Sequence, residues 1–346
     1  MESKMPILSI CIPTYNRIHK LQKLIMNILN YPSESIEVIV VDNRSTDNTI
    51  DVISGIKDRR LFVYQNDVNI GSIPNGIRAL SYSTGIYSMY CLDKDWIETA
   101  NIEKFINILE KSQNIVCGYC NLDILEERPM ECFPAGLDGI MKLGYLSKHP
   151  SGYFFKSENM HNLTLFKKIL SEKDSFVFFP ELITAELAST NESCIINMPL
   201  AFSANYTAKF EPPVVSKTYH NTGDNAFFKP INRIKETNRY MLHAYTLDIP
   251  EKEKKKIIYN LFWRGLVSST IGYKAVMSNE KIRIHYSVDD EQITILKLIL
   301  LDIKFCVNFL HFNLPISIFE KLFICVSMHL AFLFKKIKKV IIKGTK

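Results

Sequence analysis

Two carboxylates, Asp93 and Asp95, stand one residue apart directly after the apolar, β-prone run Gly85-Ile86-Tyr87-Ser88-Met89-Tyr90-Cys91-Leu92. Alternate residues of a strand face the same side. Both acids, delivered at a strand end, can therefore aim at one point: a divalent cation, a ribose, or both. Oxygen ligands on a short turn suit Mg²⁺ or Mn²⁺, which keep waters and bind phosphates as well as protein. An isolated Asp-x-Asp is more often a solvated surface turn, so the meaning of this pair rests on what precedes it.

Other residues able to do chemistry sit at comparable places. Pro13-Thr14-Tyr15-Asn16-Arg17 follows the apolar run 7–12, and Asp42-Asn43-Arg44-Ser45 follows the apolar run 37–41. Both runs read as buried parallel strands. Apolar positions Ile18, Leu21, Leu24, Ile25, Ile28 and Leu29 predict a helix over 17–31, closed by Pro32. Residues 47–57 read as a helix with Asp47 as N-cap, 61–64 as a strand, 72–84 as a helix and 86–92 as the strand ending at Asp93. Strands alternating with helices imply an α/β fold, a mostly parallel sheet with helices on both faces. Ligands of such sheets sit beyond the carboxyl ends of the strands. The loops opening at Pro13, Asp42 and Asp93 are then expected to converge on one cleft.

Beyond residue 100 the pattern predicts a helix over 101–111 and a strand over 115–120. It further predicts an aromatic strand over 176–179, a helix over 181–190 and a mainly helical stretch from 230 onward. With 346 residues, 47% of them hydrophobic, the chain has ample core material for one large or two medium domains. Its net charge of +6 is concentrated at the end: residues 251–346 hold 17 Lys+Arg against 8 Asp+Glu. That distribution argues against nucleic acid along the cleft and favours an anionic membrane surface met by the C-terminal region. The apolar run 322–334 is followed by Lys335, Lys336, Lys338, Lys339, Lys343 and Lys346. It is too short to span a bilayer and reads as an amphipathic surface helix, or else as a helix packed on the core. Eight cysteines show no disulfide spacing, and no signal-peptide pattern precedes the first strand. Reduced thiols in a cytoplasmic protein are the expectation. Cys117-Gly118-Tyr119-Cys120 lacks the second pair that a zinc site needs.

Taken together, Leu8 to Arg17, Val40 to Asp47, Asn69-Ile70-Gly71 and the Asp93-Lys94-Asp95 strand resemble family 2 glycosyltransferases of the GT-A fold. The resemblance is close over residues 5–100 and looser over 101–230. It implies a glycosyltransferase domain over 1–230, with a nucleotide-binding half (1–100) and an acceptor half (101–230), and a helical region over 231–346. It also implies transfer of a sugar from a nucleoside-diphosphate donor, a UDP-sugar above all, with inversion. Pro13, Thr14, Tyr15, Arg17, Asp42, Arg44, Asn75, Asp93 and Lys94 are the implied donor-binding residues. Asp95 is the implied direct ligand of Mn²⁺ or Mg²⁺, with Asp93 toward the ribose and His220 as a further metal ligand.

An inverting transferase also needs a base for the acceptor hydroxyl. Glu181, at a helix start after Pro180, takes the implied position, with Glu186 and Asp174 in reserve. The family's usual second acid is missing on two counts: Leu182 follows Glu181, and Trp96 follows Asp95. Ser151-Gly152-Tyr153-Phe154-Phe155-Lys156 resembles the strand lining the acceptor pocket. The expected setting is peripheral, on the inner face of a bacterial membrane. There the enzyme would extend a capsule, O-antigen or lipooligosaccharide glycan, lipid-linked or lipid-bearing. A sugar-nucleotide nucleotidyltransferase is the alternative enzyme class, although its Gly-rich phosphate loop is absent. An inactive nucleotide-sugar-binding scaffold is the other.

Overall fold

The computed structural model describes residues 5–121, 129–171, 178–202 and 223–330. Asp174, His220 and the lysine-rich stretch 335–346 lie outside the described residues. The chain separates into two compact units, Met1–Pro212 and Pro213–Lys346.

The first unit opens with β1 (Leu8–Thr14), α1 (Ile18–Leu29), β2 (Ile36–Asp42), α2 (Thr49–Ser54), β3 (Leu61–Gln65), α3 (Ser72–Ser81) and β4 (Tyr87–Tyr90). It continues with β5 (Trp96–Ile97), α4 (Ile102–Lys111), β6 (Ile115–Asn121), β7 (Met130–Phe133), α5 (Leu137–Leu143) and β8 (Tyr153–Lys156). Helices α6 (Ser157–Asn162), α7 (Thr164–Ser171) and α8 (Phe179–Thr190), then strands β9 (Glu192–Asn197) and β10 (Ala201–Phe202), complete it.

Every residue of β1 and β2 is buried. That is what a strand covered on both faces requires, and it explains the continuous apolar runs. Helix α1 covers the sheet with Ile18, Leu21, Leu24, Ile25 and Ile28, the stripe its spacing predicts. The main sheet runs β3-β2-β1-β4-β8-β6-β9-β7. Strand β1 pairs in parallel with both β2 and β4, while β8 is antiparallel to β4 and to β6. The winding therefore reverses between β1 and β4. The crevice beyond their carboxyl ends is the switch point at which such sheets bind ligands.

Three local readings change. The run 86–92 pairs as a strand only over Tyr87–Tyr90, and a turn from Asp95 N–H to the Leu92 carbonyl (3.0 Å) follows it. Phe179 opens helix α8 instead of ending an aromatic strand, because Pro180 in the first turn presets helical φ. Asp47 caps α2 from one residue further out than expected, accepting the Thr49 N–H at 3.1 Å. Cys117 and Cys120 are both buried, and burial raises their thiol pKa values well above the usual range. Standing three residues apart on β6, they face opposite sides of the sheet and cannot share a metal.

The second unit is helical over its described residues: α9 (Pro230–Thr246), α10 (Glu251–Val267), α11 (Tyr273–Met277), α12 (Glu280–His285), α13 (Ile295–His311) and α14, which covers 318–330. Phe262 of α10 meets Phe305 and Phe309 of α13 edge-on, at centroid distances of 5.3 and 4.8 Å. The opposite face of α13 is apolar and open: Ile295, Leu296, Ile299, Leu300 and Ile303 are each more than half exposed. On α14, Phe319 and Phe323 are 79% and 66% exposed.

Candidate active site

Strand β1 ends at Thr14, and the left-handed backbone of Asn16 (φ 54°) turns the chain so that Arg17 starts α1 beside the end of β4. Thr14 Oγ1 donates to Asp93 Oδ2 (3.0 Å), and Arg17 Nη1 donates to Asp93 Oδ1 (2.8 Å). Asp93 is 1% exposed, so Arg17 supplies the counter-charge that such burial requires. The first carboxylate of the pair is thus held by the first loop, as the convergence of the strand ends predicts.

Asp95 belongs to a different neighbourhood. Its Oδ2 accepts from Ser151 Oγ at 2.5 Å and faces His149 Nε2 at 2.5 Å. Both partners come from the loop between α5 and β8. There Tyr145 (φ 58°) and Ser147 (φ 54°) are left-handed, and Gly152 (φ 100°) holds a backbone that a side chain would strain. Glu181 holds this loop. Its Oε2 accepts from the N–H groups of Leu146 (2.6 Å) and Ser147 (3.0 Å), and its Oε1 accepts from the Lys148 N–H (2.6 Å) and the Tyr153 hydroxyl (3.2 Å). Hydrogen bonds to a charged group contribute roughly 1.5–3 kcal/mol each. That offsets the roughly 1–3 kcal/mol of each strained residue.

This geometry gives Glu181, expected as the base, four donors of the loop and of β8 as partners. The side chain is fully buried, and both oxygens are occupied by protein donors. Glu186, on the same helix, is only partly buried.

Asp42 shapes the turn that follows β2. It accepts from the Ser45 hydroxyl, from the Ser45 N–H (3.0 Å) and from Gln65 Nε2 (2.9 Å), and it is fully buried. Arg44 (φ 64°) reaches Gln65 Oε1 at 3.2 Å on the surface. Asn16 ties the first two loops together: its N–H donates to Ser45 Oγ (2.8 Å), and its Oδ1 accepts the Thr46 N–H (2.7 Å).

Asn75 is not at the crevice surface. Its Nδ2 donates to the Val41 carbonyl (3.0 Å), its Oδ1 accepts from Asn66 (2.8 Å), and it is 2% exposed. It braces the strand ends beneath the ligand crevice, because α3 packs with that face against β1 and β2. Arg78 joins the same network through Asn66 Oδ1 (2.7 Å). Pro13 and Thr14 are buried, whereas Tyr15 and Lys94 are partly exposed beside the two acids. Tyr90, directly beneath, is buried next to Asp93 and Asp95; burial first, then those charges, raise its phenol pKa and keep it neutral.

Trp96 has a structural role that a third acid would not fill. Strand β5 pairs antiparallel with β10, setting Trp96 opposite Phe202. His149 had no sequence signal beyond the polar string Ser147-Lys148-His149-Pro150-Ser151 before an apolar strand.

The donor set suits a hard or borderline divalent ion. An imidazole nitrogen and a carboxylate oxygen at 2.5 Å need a proton or a cation between them, and the two together are donors that divalent metal ions accept.

With this site in place, similarity becomes informative. The glycosyl transferase family 2 model matches residues 9–135, the stretch that supplies both strand ends and both acids. That stretch is similar to a family 2 glycosyltransferase domain. A GalNAc(5)-diNAcBac-PP-undecaprenol β-1,3-glucosyltransferase of Campylobacter jejuni is 29% identical over 178 residues, covering 50% of this chain and 55% of that protein. An Escherichia coli UDP-Glc:α-D-GlcNAc-diphosphoundecaprenol β-1,3-glucosyltransferase is 29% identical over 117 residues, covering 34% of this chain and 46% of that one. The chain spans about half the length of the curated relatives it matches. Crystalline TarS of S. aureus has the same fold, with a TM-score of 0.54 at 16% identity over 81% of this chain and 47% of that one. The first unit is thus a GT-A fold, a mostly parallel sheet flanked by helices, accompanied by a helical C-terminal region.

Proposed function

We propose that this chain is a metal-assisted, inverting glycosyltransferase. It moves a sugar from a nucleoside diphosphate, UDP above all, to a hydroxyl of a lipid-linked surface glycan. The observation that carries the reading is the meeting of Thr14, Arg17, Asp93, Asp95 and His149 at the β1/β4 switch point. The names of the Campylobacter and Escherichia relatives support a polyprenyl-diphosphate-linked acceptor, and the latter supports a UDP donor.

In this reading Pro13, Thr14 and Tyr15 line the base and ribose pocket, and Asp42 and its turn close its far side. Asp93, oriented by Arg17, meets the ribose, while Lys94 and Arg44 offer positive charge to the diphosphate. Asp95 and His149 hold Mn²⁺ or Mg²⁺, with His220 as a further ligand from outside the described residues. When bound, the ion supplies Lewis-acid neutralisation of the departing diphosphate, a contribution of several kcal/mol. Glu181 sets the loop that carries His149 and Ser151. In this reading the proton of the incoming hydroxyl passes to Glu186 or Asp174, the reserve carboxylates of the resemblance.

In this reading the second unit meets the membrane. Among the described residues no helix is long and apolar enough to cross a bilayer. The open faces of α13 and α14, followed by the lysine-rich stretch, support a peripheral contact with anionic lipid on the inner face.

Thermal shifts against UDP-, GDP- and dTDP-sugars, with and without Mn²⁺, test the donor assignment. A ligand at a hundred times its Kd stabilises the native state by about 2.7 kcal/mol. The reading expects the shift with a UDP-sugar and Mn²⁺ together. No shift with any nucleotide sugar contradicts it.

A further inference from the structure

The second unit holds a cluster unrelated to sugar transfer. Asp302 and Cys306 lie four residues apart on α13, and Cys325 and His329 lie four residues apart on α14. That spacing puts each pair on one helix face, one turn apart, and the two faces meet. His329 Nε2 lies 3.1 and 3.0 Å from the two oxygens of Asp302, and Cys306 Sγ lies 3.9 Å from Asp302 Oδ1. The donor atoms of Asp302, Cys306 and His329 all fall within 4.8 Å of one another. Cys325, one turn before His329 on α14, is not part of that group.

The protonation of His329 points to a ligand. Its Nδ1 lies 2.6 Å from the Cys325 carbonyl oxygen, which can only accept, so Nδ1 carries the hydrogen. Nε2 is then turned with its lone pair toward a carboxylate, and a positive centre must sit between them: a proton or a metal ion. The Nδ1–H to carbonyl bond is also the support that metal-bound histidines commonly have.

Spacing favours the metal. Bonds of about 2.0–2.3 Å in a tetrahedral zinc site put neighbouring donor atoms roughly 3.3–3.8 Å apart. The observed 3.0–3.9 Å separations bracket that range. One sulfur, one imidazole and one carboxylate are a borderline-soft set, which selects Zn²⁺ over Mg²⁺ or Ca²⁺.

We propose that Asp302, Cys306 and His329 form a Zn²⁺ site that fastens α14 to α13. On binding, the Cys306 thiol loses its proton to solvent, and the thiolate and the carboxylate together match the ion's charge. Three protein ligands leave the fourth tetrahedral position to water.

The experiment is a titration of the chelator-stripped, reduced full chain with Co²⁺, followed by absorption. The expected result is one equivalent bound with a thiolate-to-cobalt charge-transfer band and the intense visible bands of tetrahedral cobalt, displaced by Zn²⁺. An ion at Asp93 and Asp95 gives no thiolate band, so the two sites are distinguished. Cys306→Ser should remove the band. His329→Gln, at a half-exposed position, should weaken binding by at least the roughly 10–100-fold that a supporting partner alone is worth. No thiolate band, or a band unchanged by Cys306→Ser, would overturn the proposal.

Discussion

His149 Nε2 lies 2.5 Å from Asp95 Oδ2, joining a loop that follows α5 to the acid that follows β4. The contact makes the second carboxylate of the Asp-x-Asp pair half of an oxygen–nitrogen donor set, while the first is committed to Arg17 and Thr14. His149→Ala is therefore expected to weaken Mn²⁺ binding by at least about 10-fold and to leave the fold intact. Manganese titration followed by paramagnetic resonance measures this; unchanged affinity removes His149 from the ion's surroundings.

Glu181 is expected to matter first to stability. In Glu181→Gln an amide NH₂ replaces one oxygen, and on either side it faces a backbone N–H donor. The expected loss is about 2–4 kcal/mol in urea unfolding, one or two charged hydrogen bonds' worth. A variant of native stability that has lost only transfer would return Glu181 to the role of base.

Tyr87 gives an alkaline signature. Its hydroxyl donates to the buried Ile115 carbonyl at 2.9 Å, and burial above all pushes its pKa up to about 12. In the unfolded chain the phenol ionises near pH 10, so between pH 10 and 12 the native state binds more protons and stability falls as pH rises. Tyr87→Phe should cost about 1 kcal/mol at pH 9. That deficit should shrink and then reverse by pH 12, by on the order of 2–3 kcal/mol in all. A pH-independent difference in unfolding free energy would refute the assignment.

The open face of α13 predicts lipid contact. Ile299→Glu with Ile303→Glu removes two side chains worth roughly 1.5–3 kcal/mol each on burial. Partitioning onto phosphatidylglycerol vesicles should fall at least about 10-fold, with unfolding free energy unchanged because both residues are exposed. Vesicle sedimentation reads the outcome, and equal partitioning would exclude this face.

What the sequence made legible was what periodicity and strand ends control. Burial on both faces writes β1 and β2 as unbroken apolar runs, and a parallel sheet delivers Thr14, Asp42 and Asp93 to the same edge. The side of the chain that completes the site was not legible. His149 reaches Asp95 only because Glu181, on a later helix, fixes the left-handed turns at Tyr145 and Ser147, and no local pattern encodes that dependence. Asn75 lies on the expected helix, and packing of α3 against β1 and β2 turns its side chain to Val41 and Asn66, a direction no local pattern encodes. The cluster on α13 and α14 was hidden differently: its α13 half is an ordinary four-residue spacing, and only the meeting of the two helices makes it a set.

The most direct test of the central claim is calorimetric binding of UDP to wild type and to Asp95→Asn, each with Mn²⁺ and with chelator. The account predicts that Mn²⁺ tightens UDP binding to wild type by at least about 10-fold, on the order of 1.4 kcal/mol. It also predicts that Asp95→Asn abolishes this gain while retaining the weak metal-free binding. Equal UDP affinity with and without Mn²⁺ in wild type, or an undiminished gain in Asp95→Asn, would contradict it.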